Sequence, residues 1–149
     1  MTLTTQLKSW GGSIIPMGVP ILGGSLRGYQ WLPASRGKLL RMLLGTYEPE
    51  LTQWLAATLT EGSVVFDVGA HVGYSALLCS KLVGPSGQVV AFEPVPEIAA
   101  ICRKHVAINR ARNVLVYECA AGDTDEHLAF ETRCGTGRGR VSEEGNLQV

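Results

Sequence analysis

Apolar residues follow two patterns along the middle of the chain. Leu51, Trp54, Leu55 and Leu59 recur at i, i+3, i+4 and i+8, which is one face of a helix. Pro49 suits the first position of that helix, and Gly62 marks its end. Val64-Val65-Phe66 is then a continuous apolar run leading into Asp67, the pattern of a buried parallel strand. Tyr74–Val83 reads as a helix stopped by Gly84-Pro85, and Gln88–Phe92 as a second strand ending at Glu93-Pro94. Pro96–Asn109 reads as a second helix with Ile98, Ile101, Cys102, His105 and Val106 turned inward, and Val114–Tyr117 as a third strand. Strands alternating with helices predict an α/β fold, a parallel sheet joined by right-handed crossovers.

The flanks lack this regularity. Residues 1–46 are rich in Gly and Pro and read as an arm of short strands or turns, with a short helix near Gly37–Leu44. His127 to Val149 is expected to form a hairpin or loose tail, with Leu128-Ala129-Phe130 as one strand. The chain therefore divides into a basic arm, 1–46, and a domain over 47–149.

Composition narrows the classes. With 149 residues, 46% hydrophobic and 17% charged, the chain can bury a core. Zero formal net charge argues against a general nucleic-acid binder. The charge is uneven: residues 1–47 hold five bases and no acid, and the remainder holds 13 acids and 8 bases. The plain reading is a solvated basic segment, and the functional one an acidic partner or anionic membrane surface. Cys79, Cys102, Cys119 and Cys134 form no CxxC pair, so a reducing compartment and no metal are expected. No apolar run reaches the roughly 18 residues of a membrane span, which leaves the cytoplasm as the expected location.

The candidate chemistry lies at Phe66-Asp67-Val68-Gly69-Ala70-His71-Val72-Gly73, followed by Glu93 at the end of the next strand. Ligands of doubly wound sheets sit outside the carboxyl ends of the strands. A glycine turn there lets backbone approach a ligand, and a carboxylate after the second strand can accept both hydroxyls of a ribose. A dinucleotide loop, GxGxxG, needs glycine where His71 stands. Asp67 would repel a pyrophosphate and favour an ammonium group, directly or through water. No GKS or GKT follows, which excludes a phosphate-binding P-loop. These details favour S-adenosylmethionine, whose methionine end carries an ammonium. Each residue also has a plain reading: Asp67 as a structural group holding loop amides, Glu93 as a solvated strand end, His71 as a loop residue rather than a base, and Tyr74 as helix packing. Asp123 and Asp125 read as solvated turn residues, although a carboxylate near the third strand's end can reach adenine. No catalytic residue is named.

The stretches GTYEPEL at 45–51, VVFDVGAHVGYSALL at 64–78, VVAFEPVPE at 89–97 and ECAAGD at 118–123 resemble the FkbM-type methyltransferase family. The resemblance covers about residues 45–125. It implies a class I, Rossmann-like methyltransferase fold and O-methylation of a sugar, polyketide or other small metabolite bearing a hydroxyl. It also implies cofactor contacts by Asp67, Gly69, His71, Gly73 and Glu93, and by Ala120 or Ala121 at the third strand's end. The family continues with a fourth strand and further elements that this sequence does not show. The expectation is a sheet truncated after about three core strands, with an open edge at Val64–Phe66 that leads to self-association or requires a completing partner. Two alternatives use the same turn: an inactive or partner-dependent cofactor-binding fragment, and a nicotinamide-dependent oxidoreductase, which His71 and Asp67 disfavour.

Overall fold

A computed structural model describes residues 18–33, 39–123, 129–132, 139–141 and 147–148. Residues 1–17 of the arm, Gly37 and Lys38 of the expected short helix, and Asp125, Leu128 and Cys134 lie outside the described residues. The central unit alternates as expected. Strand β3 spans Val64–Val68, helix α3 Tyr74–Val83, strand β4 Gln88–Phe92, helix α4 Pro96–Ile108 and strand β5 Val114–Tyr117. The three strands form one parallel sheet in the order β3-β4-β5. Register pairs Phe66 with Val90 and Val90 with Leu115, so alternate residues of all three strands share a face.

One face carries Val65, Asp67, Val89, Ala91, Val114 and Val116 and lies under the helices. Helix α3 is apolar almost all round and accordingly buried almost all round, with Ala76, Leu77, Leu78, Cys79 and Val83 out of solvent. Helix α2, Pro49–Thr58, packs against α3 and is tied to it by Tyr74. The Tyr74 hydroxyl donates to the Tyr47 carbonyl at 3.0 Å and lies 2.9 Å from Thr52 Oγ1. The two tyrosine rings meet edge to face at 4.8 Å. Tyr74 thus has the packing role.

The described arm residues belong to the same core. Strands β1 (Val19–Pro20) and β2 (Gln30–Trp31) pair antiparallel, and α1 covers Leu39–Leu44. Ile21, Leu26, Trp31 and Met42 are buried in one cluster with Leu77, Leu78 and Val89. Near the end of the chain, β6 (Ala129–Thr132) pairs antiparallel with β7 (Gly139–Val141) on one side and β8 (Leu147–Gln148) on the other.

Three expectations change. Trp54 was expected to face inward, but it is 62% exposed, and α2 ends at Thr58, before Gly62. Leu55 alone of that helix is buried, because the contact with α3 is narrow. Strand β3 is not buried on both faces: Val64, Phe66 and Val68 are 60%, 67% and 65% exposed. Both α3 and α4 lie on the other side of the sheet, as right-handed crossovers between adjacent strands require. The open face carries a row of aromatic rings, Phe66, Phe92 and Tyr117, at centroid spacings of 6.4 and 5.7 Å and nearly parallel. Among the described residues, β3 also has no partner on its outer edge.

An unpaired edge beside an exposed apolar face favours association with other polypeptide. The 149-residue chain is expected to show concentration-dependent light scattering, and Phe66→Lys to reduce it. Equal scattering by the variant would place the association elsewhere.

Candidate functional site

The residues singled out around the glycine turn converge at the carboxyl ends of β3 and β4. The loop Gly69–Gly73 joins β3 to α3, and it is sewn to β4 by two bonds: the amides of Gly69 and Ala70 both donate to the Phe92 carbonyl, at 2.9 and 3.0 Å. Gly69 has φ +82°, and a Cβ built on it meets nothing within 4 Å, so this part of the loop faces open space. Gly73 has φ +94°, and its Cβ would lie 2.8 Å from Cys102 Sγ. Glycine there satisfies both the left-handed backbone and the close approach of α4. His71, at φ +51°, adopts the left-handed region without being glycine. Such a residue costs of order 1–3 kcal/mol and persists where its surroundings over-determine it.

Glu93 is what holds it. The residue is 5% exposed, which corrects the reading of a solvated strand end. Its Oε2 accepts the His71 amide at 2.9 Å and its Oε1 accepts the Val95 amide at 3.0 Å. The role of a carboxylate on loop amides, weighed for Asp67 from sequence, belongs to Glu93. Asp67 Oδ2 instead accepts the Ser75 hydroxyl at 2.8 Å, in the first turn of α3. Burial pushes the Asp67 carboxyl above its usual range, with the Glu93 charge adding to that and the Ser75 bond opposing it. Asp67 and Glu93 are therefore neighbouring acids on a loop that has no ion pair among the described residues.

The remaining expected positions follow β5, whose last residue, Tyr117, accepts the Glu93 amide on its carbonyl at 3.0 Å. Ala120 is half-buried and Ala121 exposed, just beyond β5. Next to them, the exposed ion pair of Arg103 with Glu118, at 2.7 Å, links α4 to the end of β5. Asp123 is exposed. Burial raises Cys79 to about 11 and Cys102 to about 12, so both are inert thiols filling the core. A cleft of about 800 Å³, lined by Lys81, Gln88, Arg110 and Arg112 among others, lies at the amino ends of the strands, opposite the glycine loop. It plays no part in this site.

His105 is the residue whose role the sequence did not reveal. It was expected only to face inward. It is 0% exposed, with Nδ1 2.7 Å from the Val72 carbonyl and Nε2 accepting the Leu32 amide at 3.0 Å. Burial lowers its affinity for a proton, while the Val72 carbonyl opposes the shift.

Residues 47–126, just over half of the chain, match the family model of protein-L-isoaspartate(D-aspartate) O-methyltransferase. The chain belongs to this methyltransferase family. Over 56 residues it is 43% identical to the protein-L-isoaspartate O-methyltransferase of Methanothrix thermoacetophila, a segment covering 38% of this chain and 27% of that one. The protein-L-isoaspartate O-methyltransferase of Aeropyrum pernix is 39% identical over 67 residues, covering 45% and 25%. The arsenite methyltransferase of Halobacterium salinarum is 36% identical over 58 residues, covering 39% and 15%. The chain thus spans about a quarter or less of the length of these relatives.

The matched family differs from the FkbM-type family that the motifs resemble, and the methyltransferase class is common to both. The three parallel strands with helices crossing on one face are the Rossmann-like arrangement expected of a class I methyltransferase, for which S-adenosylmethionine is the expected cofactor. The described residues fit that group: the open space at Gly69 would be filled by any side chain, and the neighbouring acids suit a cationic ligand. Among the described residues, no helix is long and apolar enough to cross a membrane.

Two predictions follow from the buried groups. Glu93→Ala leaves two amides without their acceptor, at about 1–3 kcal/mol each. Urea unfolding should show a loss of roughly 2–6 kcal/mol, and a loss under about 0.5 kcal/mol, the size of an ordinary surface substitution, would remove Glu93 as the loop's anchor. With Nε2 accepting the Leu32 amide and the ring buried, folded His105 binds protons less readily than in the unfolded chain. Its contribution is present above the unfolded value of 6.5 and is lost as pH falls through the lower folded value. The stability gap between wild type and His105→Gln should therefore narrow as unfolding is measured at decreasing pH. A gap that widens toward acid would contradict a neutral His105.

Proposed function

We propose that this chain provides the S-adenosylmethionine-binding part of an O-methyltransferase. The observation carrying this reading is the pair of neighbouring carboxylates, Asp67 and Glu93, at an open glycine loop, with no cation among the described residues paired to them. Two close acids disfavour a pyrophosphate and favour an ammonium or sulfonium centre. The cofactor, when bound, supplies a methyl group on a positively charged sulfur. The chain's own residues bind and align. A carboxylate has about four acceptor sites, and two of those on Glu93 are taken by amides, which leaves one on each oxygen for ribose hydroxyls. Asp67 supplies negative charge where the ammonium lies, Gly69 admits the ligand to the backbone, and Gly73 lets α4 support the loop. His71 serves through its backbone, and Ala120 and Ala121 border the adenine side.

For the acceptor, we favour the isoaspartyl carboxylate named in the family and in most of the relatives. Such a carboxylate is ionised at neutral pH and needs alignment rather than a general base. The FkbM-type motifs VFDVGAHVGY and AFEP favour a second reading, a hydroxyl of a small metabolite, which does need a base.

Isothermal titration with S-adenosylhomocysteine and NAD tests the first level. The S-adenosyl ligand is expected to bind more tightly, and tighter NAD binding would overturn the reading. Radiolabelled methyl transfer by the longest natural form of the protein, offered isoaspartyl peptides and a panel of hydroxylated metabolites, tests the second. Transfer to hydroxyls alone would reject the isoaspartyl acceptor.

A further inference from the structure

One face of α4 is held between the arm and the glycine loop. Cys102 and His105 lie on it, and Asn109, which caps the end of α4, continues the spacing of three and four residues. Cys102 backs Gly73. Asn109 pairs with the backbone of Gln30 as a neighbouring strand would: Oδ1 accepts the Gln30 amide at 2.6 Å and Nδ2 donates to its carbonyl at 2.9 Å. His105 touches both sides. The Leu32 amide can only donate, so Nε2 carries the lone pair and the ring proton sits on Nδ1, where it donates to the Val72 carbonyl. Trp31 stacks flat on the imidazole, with centroids 3.9 Å apart and an angle of 17°. The tautomer, rotamer and dryness of this ring are thus set by arm residues 31 and 32.

The carbonyl on the other side belongs to a demanding segment. Val72 lies between two left-handed residues, His71 and Gly73. Glu93 anchors the amide before Val72, and His105 anchors the carbonyl that follows. If the arm lifts, Nε2 loses its donor and the ring loses its stacking partner. Water can then reach both nitrogens, and the proton is no longer confined to Nδ1.

We propose that His105 is a positioning residue that couples docking of the arm to the conformation of the cofactor loop, so that a docked arm strengthens S-adenosyl binding and a bound S-adenosyl group tightens the arm. The reciprocity follows from linkage, since each event must change the other's equilibrium by the same factor. The proposal rests on reading Gly69–Gly73 as the cofactor loop, but the coupling itself is readable without ligand.

Amide hydrogen exchange on the ligand-free 149-residue chain provides that test. Asn109→Ala removes both bonds to Gln30, together with a bond to the His105 backbone carbonyl at 2.8 Å, and leaves the His105 ring, Glu93 and the loop sequence unchanged. Exchange at Leu32 should rise, and with it exchange at His71 and Gly73, by about fivefold or more, while Val89 and Ala91 of β4 keep their wild-type rates. His105→Leu fills the space without either hydrogen bond and should speed the same loop amides. His105→Gln offers one donor and one acceptor and should restore them. Nitrogen NMR of the wild type should find the proton of His105 on Nδ1. The proposal is overturned if His71 and Gly73 stay at wild-type rates in His105→Leu, if the β4 amides rise in parallel, or if the proton is on Nε2. In wild type, S-adenosylhomocysteine should slow exchange at Leu32, and in His105→Leu it should not. Absence of binding by the wild type would sink the proposed function and leave the exchange result standing.

Discussion

The carboxylate of Glu93 is nearly out of water and bonded to two backbone amides, one in the loop after β3 and one at the start of α4. A buried carboxylate without such partners would cost several kcal/mol, so the two amides are held in place as firmly as the charge needs them. The path of the glycine loop depends on this. With the His71 amide fixed, and with the Gly69 and Ala70 amides drawn to the Phe92 carbonyl, the loop can turn through three left-handed residues and start α3 at Tyr74. The Val72 carbonyl is thereby aimed at α4, where His105 meets it.

Zero net charge conceals a separation of charge along the strands. Asp67, Glu93, Glu118 and Asp123 gather at the carboxyl ends, and Lys81, Arg110 and Arg112 border the cleft at the amino ends. Lys81 is partly engaged there, donating to the Ser25 carbonyl at 2.6 Å and lying over the Tyr29 ring. The acidic end suits a cationic ligand group, and burial holds the Asp67 carboxyl there above its usual range.

The two faces of the sheet differ in the same systematic way. Crossovers of one hand put α3 and α4 on one side, and the described arm packs into the core formed there. The other side is left to the row Phe66, Phe92 and Tyr117. Even so, the site-bearing loop is well supported, because Gly73, Cys102 and Glu93 are all buried on the covered side.

Local signals in the sequence were enough for the order and type of the central elements. A helix repeats every 3.6 residues and a strand every two, and both periods are written in neighbouring residues. Tyr74–Val83, Gln88–Phe92 and Val114–Tyr117 could therefore be read directly, as could the glycine turn between Asp67 and Tyr74. The methyltransferase class was legible for the same reason, since the glycine turn is a continuous stretch of chain. Trp54 matched the helical period yet faces solvent, because exposure depends on what packs opposite. Glu93 took the amide-holding role that the sequence offered to Asp67, because hydrogen-bond partners 22 residues apart are chosen by the folded backbone. His105 looked like one more inward position. Only the tertiary structure brings Leu32, 73 residues away, and Val72, 33 residues away, to its two nitrogens, because contacts at such separations have no period to be read from.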